Sequence, residues 1–262
     1  MTVFNKEIRQ LYKGILGITL LLSLFILTIV LIYPQFAQES AGLIDLFRNV
    51  SFFTDVLNID LSLITSLAGY YGMEFEVLVG LLGSIFLAFI AGNLIVKEEK
   101  DHTAEFLYTL PHNRLSILVQ KLLAFISLSL MMHLIILAVA YLTIKLSSQE
   151  MSGSDLINLQ LATFLCHLVV GFLSLGMTEL IPGLISNLGP MVVIFLYLMN
   201  ILDNMVQNVP LIRWLTPFSF TSSADIIQNH TIDWSLVLSN FSLALVFLLL
   251  AAWRFNRRDI QT

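Results

Sequence analysis

The side chains able to do chemistry are few in this sequence, and their spacing forms no catalytic or metal-binding set. His133, His167 and Glu179 lie singly in apolar runs, and the last two are twelve positions apart, which is not one helical face. The other histidines, which show no ligand spacing, are His102, His112 and His230. The single cysteine, Cys166, excludes an intramolecular disulfide and a cysteine metal cluster. We therefore expect no catalytic residue and no metal site, and we interpret the isolated groups as hydrogen-bonded or interfacial.

The stretch 97–121, KEEKDHTAEFLYTLPHNRLSILVQK, has the residue types for docking on a partner. A helix over 98–110 would place Glu98 and Glu105 on one face, and it would end before Pro111, which lacks an N–H donor. The opposite face would carry Thr103, Phe106, Leu107 and Leu110. Its apolar face fits a groove on a soluble protein, with the charges fixing the register. An ordinary solvated loop fits the same pattern equally well.

The elements around this stretch are predicted to be membrane-spanning helices. The chain has 262 residues, of which 12% are charged, whereas about 25% are charged in a soluble domain. A helix needs roughly 20 apolar residues to cross a bilayer. Runs of this kind predict spans at 14–34, 77–96, 122–144, 159–178, 184–203 and 234–253. The expected fold class is all-α, a single polytopic transmembrane domain over residues 1–262.

Basic residues predict the orientation of these spans, because lysine and arginine concentrate in cytoplasmic loops. Six spans place the N-terminus, the stretch 97–121 and the C-terminus on one side. The basic residues of that side are Lys6, Arg9, Lys13, Lys97, Lys100, Arg114, Lys121, Arg254, Arg257 and Arg258. The other side carries Arg48, Lys145 and Arg213. We therefore expect both termini in the cytoplasm.

Residues 2–13 are amphipathic at helical spacing. Phe4, Ile8 and Leu11 share one face, and the basic residues of this segment lie on another. This pattern predicts an interfacial helix that contacts membrane lipids, with its basic groups at anionic headgroups. The alternative is that the basic side chains only extend to the interface from the end of the first span.

The stretch 97–121 resembles the corresponding loop of type-2 ABC exporter permeases. Such loops typically contain an acidic pair, a Gly-Thr-x-Glu-like turn, a leucine-rich stretch, a proline and then an arginine. The matching residues here are Glu98, Glu99, Thr103, Glu105, Leu107, Leu110, Pro111 and Arg114. His102 stands where many members have glycine. The topology of the whole chain, with six spans and a long first outer segment, is similar as well.

The resemblance implies a permease subunit that works with two copies of a separate ABC ATPase and with a second permease, identical or related. The helix at about 98–110 would be the coupling helix that docks on the ATPase. The sequence contains no G-x-x-x-x-G-K-[ST] loop. We therefore expect ATP and Mg²⁺ in the partner and no cofactor in this chain. The expected function is export across the cell membrane, and nothing in the sequence suggests nucleic-acid binding.

Two groups of residues inside the spans are candidates for a subunit interface or a substrate path. Small residues at strict four-residue spacing let helices approach closely, and here they are Gly80, Ser84, Ala88 and Gly92. Such proteins place this span near the contact between permeases, although packing within one subunit is the interpretation we favour. The polar stripe of the fifth span consists of Tyr197, Asn200 and Asn204. It would line the substrate route or form interhelical hydrogen bonds.

Other classes of membrane protein are the alternatives to this interpretation. A secondary transporter often shows internal repeats and charged groups at mid-membrane, and neither is evident in this sequence. A sensor-associated membrane subunit is a further alternative. An intramembrane enzyme such as a protease needs paired catalytic groups, which the isolated histidines do not supply. The pattern does not distinguish a peptide, a lipid-like molecule, a drug or an ion as substrate.

Overall fold

A computed structural model shows the chain as a bundle of helices. It describes residues 2–48, 63, 65–100, 113–147, 149–181, 188–205 and 210–257. Six helices in this part are long and apolar enough to cross a membrane. The elements found there are all helical. The predicted all-α, six-span fold class is confirmed.

The helices follow one another in a simple order. The first half of the chain forms α1 (Thr2–Arg48), α2 (Leu67–Phe75), a π-helix (Glu76–Leu82), α3 (Gly83–Lys100) and α4 (Arg114–Leu146). The second half forms α5 (Gly153–Leu180), α6 (Leu188–Met205), α7 (Pro210–Leu215), a 3-10 helix (Pro217–Thr221), α8 (Ser223–Asn229) and α9 (Trp234–Arg257). The segments α2, π-helix and α3 are contiguous and together form the second span.

Helix α1 differs from the prediction because it has no break between residues 13 and 14. We expected an interfacial helix at 2–13 followed by a span at 14–34, but one helix runs from Thr2 to Arg48. No proline precedes Pro34, so nothing interrupts the backbone hydrogen bonds across this boundary. Pro34 itself lies inside the helix, as membrane helices tolerate. Residues 2–13 are thus the first turns of α1.

The second span and α5 form the centre of the bundle and are its most buried helices. Helix α3 packs along α5, and α6 contacts both of them. Helix α1 packs mainly on α4, and α9 packs on α5. Many leucines on the outer faces of α1, α6 and α9 remain exposed, for example Leu24 and Leu249. An apolar exterior of this kind is expected where lipid or another membrane subunit replaces water.

The small residues of the second span all lie buried inside the subunit. A Cβ atom added at Gly189 of α6 would lie 2.3 Å from the carbonyl oxygen of Ala88, so only glycine fits there. A Cβ at Gly92 would lie 3.1 Å from Thr178 Oγ1 of α5. Ala88 and Gly92 of this stripe therefore allow α3 to approach α6 and α5 closely within one copy of the chain.

The bundle has two ends, which we name by the residues they carry. The terminal face carries residues 2, 98, 114, 180 and 257, where α1 and α4 begin and where α3, α5 and α9 end. The distal face is the opposite end, where α7, the 3-10 helix and α8 cover the bundle. Asn113 at the terminal face caps α4 by accepting a hydrogen bond from the Ser116 N–H at 2.9 Å.

Candidate functional site

Four charged side chains from three helices meet at the terminal face. They are Glu7 of α1, Lys97 and Glu98 of α3, and Lys121 of α4. We call them the ion cluster. Three of the side chains are at most 4% exposed, and that of Lys97 is 22% exposed. These two acids and two bases pair with one another, and the exposed Lys6 lies at the edge of the cluster, with its Nζ 3.8 Å from Glu98 Oε1. Ionised groups can be buried when they are paired in this way.

Lys121 is the centre of the ion cluster. Its Nζ donates to Glu7 Oε1 at 2.9 Å, to Glu98 Oε1 at 2.6 Å and to the backbone carbonyl of Leu94 at 2.5 Å. An ammonium group has three N–H donors, so all of them are used. Because its acceptors come from α1 and α3, Lys121 fixes the start of α4 to both helices.

Glu7 connects both lysines of the cluster. Its Oε1 accepts from Lys121, and its Oε2 accepts from Lys97. Lys97 also donates to Gln10 Oε1 at 3.0 Å, so α1 holds it through two side chains. Glu7 is fully buried. A buried carboxylate needs such partners, and the removal of either lysine would leave part of its charge without compensation.

Further contacts tie the start of α1 and the end of α9 to the same face. The N–H of Phe4, one of the groups that a helix start leaves without an internal partner, donates to Gln120 Oε1 at 3.4 Å. Arg114 Nη1 donates to the backbone carbonyl of Phe255 at 3.3 Å. Arg254 donates to the Leu180 carbonyl at the end of α5 at 2.8 Å. Five helix ends are thus joined around the stretch 97–121.

Comparison with known protein families shows the family of this chain. The family described as ABC-2 family transporter protein matches residues 1–260. The chain belongs to this family. It is therefore an ABC-2 type permease, a multi-pass membrane component of an ABC transporter, and the predicted family is confirmed. No curated protein sequence matches the permease.

The predicted coupling residues of the permease fall in two groups. Glu98 and Arg114 lie in the described part, whereas only the backbone of Glu99 does. The others lie outside the described residues, and they are Thr103, Glu105, Phe106, Leu107, Leu110 and Pro111. The predicted start of a separate helix at 98 is wrong, because α3 continues to Lys100. Glu98 belongs to the last turns of the second span and faces inward, because it pairs with Lys121.

Sequence reasoning missed Glu7 and Lys121 as partners, although a signal was present. Glu7 lies three positions after Phe4 and four before Leu11, so it stands on the apolar face of the predicted N-terminal helix. An acid on such a face indicates a buried partner. The sequence pattern identifies Lys121 only as one of the basic residues between two spans, but its side chain is 1% exposed. What the sequence could not supply was the pairing between them.

The polar stripe of α6 contacts the 3-10 helix at the distal face of the same permease. Asn200 is buried, and Tyr197 packs edge-to-face on Phe218 of the 3-10 helix with ring centroids 5.2 Å apart. Thr216 Oγ1 donates to the carbonyl of Leu196 at 2.9 Å. Asn204, near the end of α6, is half-buried. The stripe therefore serves contacts within the subunit in this conformation.

The buried histidines of the permease are hydrogen-bonded, as expected, but they are paired with each other rather than isolated. His133 Nε2 and His167 Nδ1 are 2.8 Å apart, so α4 and α5 are joined through their side chains. The two residues are too distant in sequence for their spacing to show this pairing. In the part of the chain that the structure describes, no three His, Cys, Asp or Glu side chains form a group that could hold a metal ion.

Proposed function

We propose that the permease exports a substrate across the cell membrane, driven by ATP that a separate ATPase subunit hydrolyses. The terminal face is proposed to face the cytoplasm, where two ATPase copies bind to two permeases, identical or related. ATP and Mg²⁺ would bind to the ATPase. The contribution of this chain is to receive the movement of the ATPase and to convey it to its spans.

The observation that carries the proposal is the position of the ion cluster at both ends of the stretch 97–121. Lys97 and Glu98 lie where the stretch begins, and Lys121 lies where it ends. Glu7 joins both ends to α1. Because these side chains are buried and paired, a force on the stretch would move three helices together.

The distribution of basic side chains supports a cytoplasmic terminal face. Lys97 and Lys121 are neutralised inside the ion cluster, so they contribute little to attraction by anionic lipid. Arg9 and Lys13 remain exposed on α1, as does Lys6, although its Nζ lies 3.8 Å from Glu98 Oε1. Arg257 lies over the ring of Trp253, 4.8 Å from its centroid, as in the belts of membrane–water interfaces.

Co-purification with the ATPase tests the proposal directly. The tagged permease is isolated in native form and as the variant Glu105→Lys plus Leu107→Asp. These changes alter both faces of the predicted coupling helix and leave the spans unchanged. We expect the native permease to retain the ATPase and the variant to lose it while remaining in the membrane.

A matched control makes the same chemical changes at the distal face. Glu150→Lys plus Leu146→Asp reverses one exposed acid and alters one exposed leucine at the far end of α4. This variant should retain the ATPase. If the native permease binds no ATPase, the transporter proposal fails. If both variants lose it equally, the assignment of the coupling stretch fails.

A further inference from the structure

The second span contains a π-helix, Glu76–Leu82, between two α-helical segments. π-Helical turns are rare, and where they occur they frequently mark functional sites. Gly80 lies inside this π-helix and Gly83 follows it. Glycine leaves the backbone unusually free to change conformation, so this is the part of the span that can most readily alter its winding.

A chain of hydrogen bonds ends on the π-helix. His167 Nε2 lies 3.1 Å from the carbonyl oxygen of Val79 and 3.3 Å from that of Gly80. His167 Nδ1 lies 2.8 Å from His133 Nε2, and His133 Nδ1 lies 2.8 Å from Gln160 Nε2. We call Gln160, His133 and His167 the histidine chain. All three side chains are buried.

The donor and acceptor roles in the histidine chain follow from one hydrogen bond whose direction is certain. Gln160 Nε2 lies 2.9 Å from the backbone carbonyl of His133, which only accepts, so this atom is the amide nitrogen. It also donates to His133 Nδ1, which leaves the proton of that ring on Nε2. His133 then donates to His167 Nδ1, and His167 Nε2 donates to the Val79 carbonyl. Both imidazoles are neutral, and every ring nitrogen is used.

The ring of His167 lies directly against the backbone where the π-helix meets α3. A Cβ atom added at Gly83 would lie 2.7 Å from His167 Cε1 and 3.0 Å from Nε2. The position of the ring and the path of the backbone therefore depend on one another. A change in the winding of the π-helix must displace the ring or break its hydrogen bonds.

The second span is held separately at two points. At the first residue of the π-helix, Glu76 Oε2 accepts from the N–H of Ser223 in α8 at 2.9 Å. At the terminal face, the ion cluster holds Lys97 and Glu98. A tilt of α3 relative to α2 would therefore be taken up between these two anchors, where the π-helix lies.

From this arrangement we propose that the π-helix is the pivot of the second span. The histidine chain holds the pivot in its resting geometry, and movement of α3 breaks the hydrogen bonds of His167 to Val79 and Gly80. The inference rests on the proposed function, because the ATPase supplies the movement. To the proposed function it adds the position at which the second span bends and the side chains that oppose this bending.

Cys166 offers a native probe of this event. It is the only cysteine of the sequence and is fully buried. Its thiol lies beside the side chain of Ser84, in the first turn of α3. Movement of α3 about the pivot would uncover the thiol, and N-ethylmaleimide, which crosses membranes, would then modify it. Cys166→Ala, which removes the thiol, gives the background of the measurement.

The experiment compares the rate of Cys166 modification in the complex of permease and ATPase, embedded in lipid nanodiscs. In the native complex we expect modification to become about tenfold faster during ATP hydrolysis, as the loss of one or two hydrogen bonds would allow. His167→Phe keeps a ring but removes both nitrogens. It should give the faster rate already without nucleotide. The control Leu134→Phe, at an exposed leucine next to His133 on α4, should behave as the native complex does.

Two results would overturn the proposal. One is an equal rate for the native and His167→Phe complexes without nucleotide, and the other is ATP hydrolysis that leaves the native rate unchanged. If His167→Phe does not assemble, Gln160→Leu removes only the first donor and is judged by the same criterion. Absence of any ATPase from the native complex is a different result, because it removes the proposed function and this inference with it.

Discussion

The ion cluster and the histidine chain both hold the second span, but they do so with different chemistry. The ion cluster lies at the terminal face and joins two carboxylates to two ammonium groups across α1, α3 and α4. The histidine chain lies between α4, α5 and the π-helix and contains only neutral groups. The side chains of both groups are largely buried. The two groups differ in their position along the helices and in whether their side chains are charged.

This difference follows from what it costs to bury each kind of group. Separated charges are expensive in a medium of low dielectric constant, and each must keep a close partner. A broken neutral hydrogen bond leaves one buried donor and one buried acceptor unsatisfied, at about 1–3 kcal/mol each, and it leaves no charge without a partner. We therefore expect the ion cluster to keep helices together throughout a transport cycle, and the histidine chain to be the part that opens and closes.

The largest effect should come from Lys121→Met. This change removes the cation from between Glu7 and Glu98, and leaving buried charges uncompensated typically costs about 3–5 kcal/mol. For a chain of this size, the midpoint of thermal unfolding should fall by about 10 °C. Gel filtration of heated, detergent-solubilised samples measures it. Lys145→Met, at the exposed end of the same helix, should leave the midpoint unchanged, and equal effects of both would show that the ion cluster is not a structural joint.

An intermediate effect is expected for Gly83→Ala. The added methyl group would collide with the ring of His167, and overpacking of this kind costs about 1–3 kcal/mol. The unfolding midpoint should fall by a few degrees, and modification of Cys166 should become faster without nucleotide. Gly17→Ala, where the added Cβ would point into open space, is the control. A Gly83→Ala permease with native stability and native labelling would contradict the close contact described above.

The smallest effect should come from Arg114→Gln. Among its contacts, the hydrogen bond to the Phe255 carbonyl is long, at 3.3 Å, and lies at the edge of the terminal face. We expect a loss of less than about 1 kcal/mol in stability, which a thermal unfolding measurement would barely detect. If transport or ATPase binding is lost while stability is kept, Arg114 contacts the ATPase as the family resemblance implies. If stability falls as far as in Lys121→Met, the terminal face is held by a wider network than the ion cluster.

The fold was predictable from the sequence to a much greater degree than the site. Long uncharged runs identify spans because a bilayer accepts few charges, so the six helices were evident. Their ends were less evident, since α1 continues past both predicted limits of its span. The pairings of Glu7 with Lys121 and of His133 with His167 join residues 114 and 34 positions apart. Such contacts depend on how helices pack, which local pattern does not encode.

Helix α1 has a consequence for the shape of the assembled transporter. Its 47 residues correspond to a length of about 70 Å along the axis, whereas the hydrocarbon core of a bilayer is about 30 Å thick. More than half of this helix therefore projects beyond the lipid tails. A rotation of a few degrees at the start of α1 would displace its other end by several ångströms. A small rotation of α1 at one surface of the membrane would thereby become a measurable displacement of its end beyond the opposite surface.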